Sequence, residues 1–244
     1  ADKDIILLLG PTGTGKSTTI HYLTGAKFQE VEVGVDRVKH MNPIPPAKYQ
    51  DGSDEAIYGT LASVKTSPSG DSETRTINAV KIQFESSEVV LCDTPGFHDT
   101  RSVEIEISNG IGMCRALKQC KSIRPVVLWC PSSLGPKLQE MVDQCAIYNR
   151  LFNDINEHLL SFTYLVTRMD SEQSYIDLQK LLNNKIKLIS ASDRVQREVE
   201  CQILNSVSKD LEKLGSLGRI NLQGNCGDQV LQYILHKTAI EPPE

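Results

Sequence analysis

Residues 5–9 are an unbroken aliphatic run stopped by Gly10, the pattern of a strand covered on both faces in a parallel sheet. A glycine-rich turn then leads into a helical stretch over residues 17–23. Residues 77–84 alternate as an edge or half-buried strand does, and residues 89–92 are a second short apolar run. Residues 126–130 and 162–166 are two more buried-strand candidates, each followed by residues of helical period. After Gly135 the apolar positions Leu138, Met141, Val142, Cys145, Leu151, Phe152, Ile155 and Leu159 predict one helix with a single buried stripe. Val195, Val199, Ile203, Val207, Leu211 and Leu214 predict another, and Val230, Ile234 and Leu235 behind Gly227-Asp228 a last one. This alternation implies an α/β fold of three layers, a mostly parallel sheet with helices on both faces.

One domain over residues 1–244 accounts for the pattern, with residues 31–72, rich in proline, glycine and serine, as a long irregular insertion between the first helix and the second expected strand. Residues 171–218 read as a helical region and 219–244 as the last strand and helix. A content of 39% hydrophobic residues suits a full core. The net charge of -5 offers no general attraction to nucleic acid or anionic lipid. No run approaches a bilayer span, so no transmembrane segment is expected. Seven dispersed cysteines without a Cys-x-x-Cys pair, and five scattered histidines, indicate neither a disulfide framework nor a zinc ribbon; they read as reduced thiols in a cytoplasmic compartment. The abrupt start and the Pro242-Pro243 ending read as a domain cut from a longer protein.

Local chemistry changes this picture. Gly10-Pro11-Thr12-Gly13-Thr14-Gly15-Lys16-Ser17 fits G-x-x-x-x-G-K-[ST] between a buried strand and a helix start. There, backbone N–H groups curl around a β-phosphate, Lys16 supplies charge to the β/γ oxygens, Ser17 offers a hydroxyl to Mg²⁺, and Thr18 reaches the α-phosphate. Asp93 ends an apolar strand, where a carboxylate holds Mg²⁺ through water, and Gly96 follows with an N–H for the γ-phosphate. Asp-Thr-Pro-Gly also makes an ordinary turn. Thr167-Arg168-Met169-Asp170 follows a strand directly. Asp170 there accepts guanine N1–H and N2–H, Arg168 lies over the base and Thr167 ties the loop back to the phosphate cradle; the alternative role for Asp170 is a helix cap.

Residues 93–100, Thr-Arg-x-Asp at 167–170, Ser72-x-Thr74-Arg75 and the stretch from Arg124 to Gly135 resemble the motifs of septin-like GTPases, particularly the avirulence-induced, immunity-associated branch. The resemblance spans roughly residues 5–170. It implies a P-loop NTPase G domain, a GTP/GDP ligand with Mg²⁺, and pairing of G domains face to face as a homodimer. It also implies that Thr74 is the switch threonine joining Mg²⁺, with Thr60, Thr66 and Thr76 as competitors. The distance from Lys16 to Thr74, 74 − 16 = 58 residues, exceeds the usual first switch of that family. Two segments compete for the last nucleotide loop, Ser190-Ala191 and residues 220–225; the second, with Asn225 beside the base, stands directly before the final helix.

The position after the DTPG glycine, where a water-orienting glutamine commonly sits, is Phe97. Slow intrinsic hydrolysis is therefore expected, with His98 the nearest polar candidate, and Arg101, Arg115 and Arg124 the arginines available to a dimer partner. Three functions follow as expectations: a switch GTPase read by an effector protein, a GTP/GDP-binding scaffold that hardly hydrolyses, and a P-loop ATPase.

Overall fold

The computed structural model describes residues 3–34, 37–44, 46, 61, 64–66, 77–96, 110–115, 117–131, 139–152, 155–169, 172–192, 198–224 and 226–242. The first aliphatic run becomes β1 (Asp4–Leu9), the middle strand of a five-stranded sheet. It pairs in parallel with β5 (Ser87–Asp93) on one side and β6 (Ser122–Trp129) on the other. β7 (Thr163–Val166) continues the parallel set beyond β6, while β4 (Asn78–Phe84) closes the opposite edge antiparallel to β5. The order is β4-β5-β1-β6-β7, a mostly parallel sheet as the α/β pattern of the sequence implies.

The unbroken hydrophobicity of β1 is explained by its two faces. Ile5, Leu7 and Leu9 enter one core with residues of α2 (Gln139–Leu151) and α5 (Glu198–Leu214). Ile6 and Leu8 enter a second core with α1 (Lys16–Leu23) and α6 (Gly227–His236). Alternate side chains of one strand thus serve opposite layers. α4 (Glu172–Ser192) adds Tyr175, Leu178 and Leu182 to the first core. No described helix is long and apolar enough to cross a membrane.

Two differences from the sequence pattern have local causes. The helix expected to run on from α2 stops after Leu151 and resumes as the short α3 (Ile155–His158). Asn153 and Asp154, which fall between them, are residue types that favour caps and turns over helix interiors. The insertion is not irregular throughout either. Lys27–Val33 (β2) and Val38–Ile44 (β3) form an antiparallel ribbon separate from the main sheet, turning where Gly34 and Arg37 both have positive φ. Pro43 is tolerated because the ribbon has only two strands, both of them edges.

β7 begins opposite Val126, so the outer edge of Ile123 is open to another strand. Ile240 fills it with a reciprocal pair of backbone bonds of 2.8 and 2.7 Å. Nearby, buried Asp210 of α5 accepts from the Tyr164 N–H (2.9 Å), the Tyr233 hydroxyl (2.7 Å) and the Lys237 ammonium, joining α5, α6 and β7.

Candidate functional site

The carboxyl ends of β1, β5, β6 and β7 converge where loops leave the sheet on both sides of β1, the position at which open α/β sheets bind ligands. Gly10 leaves β1 with φ +147°, and a β-carbon there would lie 2.6 Å from the Leu128 carbonyl oxygen. Only glycine lets the chain turn this close to β6. Gly13 and Gly15 also have positive φ, and the loop is braced by the Thr14 hydroxyl donating to the Pro11 carbonyl at 2.8 Å. Helix α1 starts behind Gly15 without a side-chain cap, so the first-turn N–H groups are left to face the loop.

The Lys16 ammonium folds into this loop and donates to the carbonyls of Gly10 (2.9 Å) and Pro11 (2.8 Å). Its burial lowers its pKa from 10.5 to about 8, against an upward pull from Asp93. A buried cation held by neutral carbonyls is a site that an anion would stabilise further. The Thr12 hydroxyl adds to this: it is buried in the same loop with no hydrogen-bond partner among the described residues.

Asp93, fully buried at the end of β5, accepts from the Ser17 hydroxyl at 2.7 Å. The side chains expected to bracket Mg²⁺ therefore stand side by side, one hydroxyl and one carboxylate, the hard oxygen donors that this ion takes along with phosphate and water. Among the described residues no group of three or more His, Cys, Asp or Glu is arranged to hold a metal, so such an ion would depend on ligand oxygens to complete its shell. Thr94 next door donates to the Leu8 carbonyl at 2.6 Å, fixing the end of β5 against β1. Gly96 then passes directly over Thr12: a β-carbon at Gly96 would lie 2.5 Å from the Thr12 nitrogen.

On the other side, Thr167 bridges three elements. Its N–H reaches the Trp129 carbonyl (2.8 Å), and its hydroxyl donates to the Thr14 carbonyl (2.7 Å), joining the end of β7 to the cradle. Arg168 follows with φ +53°, a conformation that L-residues seldom adopt outside functional or tightly held loops. Thr18 and Gly15, residues 167–169 and residues 220–222 surround a cavity of about 450 Å³. Residues 220–222 are brought there because the Ile220 N–H extends the sheet to the Val166 carbonyl at 2.8 Å. Ser190 and Ala191, the competing loop, lie in the last turn of α4.

Asp170, Asn225, Thr74, His98 and Arg101 lie outside the described residues, as do Phe97, Thr60 and Thr76. Thr66 is described and is bonded to His40 (3.0 Å). Arg124 is corrected as a candidate for the nucleotide face: its Nε donates to the Lys237 carbonyl at 3.1 Å near the start of β6. Trp129 is five positions further on, roughly 16 Å along a strand. The sequence reading missed Lys39, His40 and Met41 of β3, which line the cavity together with Asn221 of the expected 220–225 loop. The alternation of residues 28–33 was the available signal for the ribbon.

No protein-family model and no curated protein matches this chain. Among solved structures, it is similar to a chain of the signal recognition particle receptor SRb-GTP/SRX complex from Chaetomium thermophilum, at 11% identity and a TM-score of 0.38, covering 88% of this chain and 87% of that one. The architecture itself therefore rests on the strand order and on the loop that follows β1.

Proposed function

We propose that this chain is a single G domain that binds guanine nucleotide through residues 10–17 and hydrolyses GTP slowly, switching conformation between its GTP and GDP states. The observation that carries this reading is the 2.7 Å bond between Ser17 and Asp93 beside the buried Lys16 ammonium. It unites a cation, a hydroxyl and a carboxylate at the mouth of a glycine-lined turn, the set that phosphoryl transfer to water requires. Bound Mg²⁺ would neutralise charge on the β- and γ-phosphates there, held by Ser17, by Asp93 and, in this reading, by Thr74. Lys16 exchanges its carbonyl partners for phosphate oxygens, and the Thr12 hydroxyl gains an acceptor. Gly96 brings its N–H toward the γ-phosphate from above.

Guanine is preferred over adenine because Asp170 would accept two donors that adenine does not present together. Arg168 and the Thr167 tie support that placement of the base loop, with Asn225 beside the base. The septin-like branch is favoured by the quoted motifs, and with it a cytoplasmic homodimer whose partner supplies a cation such as Arg101, and an effector protein that reads the switch. Phe97 favours a second reading, a module that retains GTP or GDP with little turnover, since an apolar side chain cannot orient water.

Mass spectrometry of the supernatant after denaturing the purified protein is expected to detect GDP or GTP. Detection of adenine nucleotide alone would overturn the guanine assignment. Asp170→Asn is expected to cost about 1.5–3 kcal/mol in GTP affinity and little toward xanthosine triphosphate.

A further inference from the structure

The β2–β3 ribbon contributes no strand to the central sheet, and β2 is mostly exposed along its length. A two-stranded ribbon with so little burial is marginal by itself, so its placement depends on what β3 touches. Three consecutive β3 residues, Lys39, His40 and Met41, form one wall of the 450 Å³ cavity, facing residues 167–169 and 220–222. The His40 ring is anchored by the Thr66 hydroxyl at 3.0 Å and lies close enough to the Arg168 cation to feel its charge. The Lys39 ammonium is held on the ribbon itself by Glu30, at 2.9 Å.

We propose that β3 is the outer wall of the nucleoside subsite, with His40 and Met41 pressing base and ribose against the Arg168–Met169 loop, so that the ribbon clamps a bound nucleotide. This rests on the guanine-nucleotide reading above. The chemistry of the walls fits a flat heterocycle. An imidazole and two thioethers, from Met41 and Met169, offer polarisable faces, while Ile220 and Leu222 supply apolar flanks. Polar groups sit at the rim: Thr18 at the end nearest the cradle, and Asn221 at the other loop. Polar and apolar groups share the lining about equally, and a cavity of this size falls in the range of small-molecule sites.

The clamp also has a mechanical connection. His40 bonds Thr66, and two residues earlier the Val64 carbonyl is bonded to His21 Nε2 of α1 at 2.8 Å. Leu61 is buried in the same core as Ile20 of α1. Leu61, Val64 and Thr66 therefore link the ribbon to the helix that begins at the phosphate cradle, and a ribbon pulled onto a nucleotide would pull on that link.

The test compares a fluorescent GDP with inorganic pyrophosphate, which occupies the cradle and leaves the cavity empty. The double substitution His40→Ala, Met41→Ala is expected to weaken GDP about tenfold, the loss of one stacking contact, with pyrophosphate competition unchanged. In the wild-type protein, GDP but not pyrophosphate is expected to slow amide exchange across residues 27–44. An affinity for GDP within about twofold of wild type in the folded double variant, or no protection of the ribbon by GDP, would overturn the clamp. Lys16→Ala separates the two readings. If it weakens both ligands while the double variant weakens neither, the cradle stands and the clamp falls; if it leaves GDP binding intact while the double variant abolishes it, the cradle reading fails and the clamp stands. A wild-type protein that binds no GDP refutes both.

Discussion

Replacing Lys16 by methionine separates what the cradle does for stability from what it does for ligand binding. Burial lowers the ammonium pKa from 10.5 to about 8, so holding the charged form inside the folded, nucleotide-free protein at neutral pH costs about 3 kcal/mol. Offsetting this, the ammonium donates to the carbonyls of Gly10 and Pro11 at 2.9 and 2.8 Å, and each lost bond costs about 1 kcal/mol. The penalty outweighs the two bonds. Lys16→Met should therefore stabilise the nucleotide-free protein by about 1 kcal/mol, or about 2–4 °C in Tm for a chain of this size, while weakening binding of GDP and GTP strongly. The pH dependence has a defined sign. Between about pH 8 and 10.5 the unfolded chain keeps a proton on Lys16 that the folded chain has released, so wild-type stability rises relative to the variant across that window and the two melting curves cross. Paired thermal melts from about pH 7 to 10, with and without magnesium and GDP, measure both effects. A variant that melts below wild type at neutral pH without nucleotide, or a gap that does not change with pH, would refute the reasoning.

Three further outcomes are expected. Gly96→Ala places a methyl group 2.5 Å from the Thr12 nitrogen, and the backbone must give way; a loss of about 1–3 kcal/mol in GTP affinity or in stability should appear in titration and melting experiments. Chelating magnesium should speed GDP release from the wild-type protein by about tenfold or more but barely affect Asp93→Ala, whose carboxylate is already gone; stopped-flow release rates decide this. Asp210→Ala leaves the Lys237 ammonium, the Tyr233 hydroxyl and the Tyr164 N–H without their shared acceptor, so the urea midpoint should fall by the equivalent of about 3–5 kcal/mol while GDP affinity is retained.

The parallel strands of the central sheet were legible because they are buried on both faces: residues 5–9, 89–92, 126–130 and, but for Thr163, 162–166 are apolar whatever surrounds them. The cradle was legible because glycine spacing and Lys16-Ser17 encode a backbone shape rather than a packing arrangement. The ribbon was not. Its strands carry Glu30, Glu32, Lys39 and Pro43, and what ties them down is the bond from His40 to Thr66, a partner far away in sequence. The 220–225 loop was legible from its place before the last helix, and the Ile220 N–H joins it to the end of β7.

The central position of β1 also dictates an order of assembly. Ile5 pairs with Val90 and Asp4 with Ser122, so β1 finds neither neighbour in the sheet until the chain through β5 has left the ribosome. Closing such long loops is slow compared with forming helices. β1 thus waits for partners made well after it, and a nascent chain carries this aliphatic strand and the loop behind it exposed throughout that interval, the period in which chaperone capture or aggregation competes with folding.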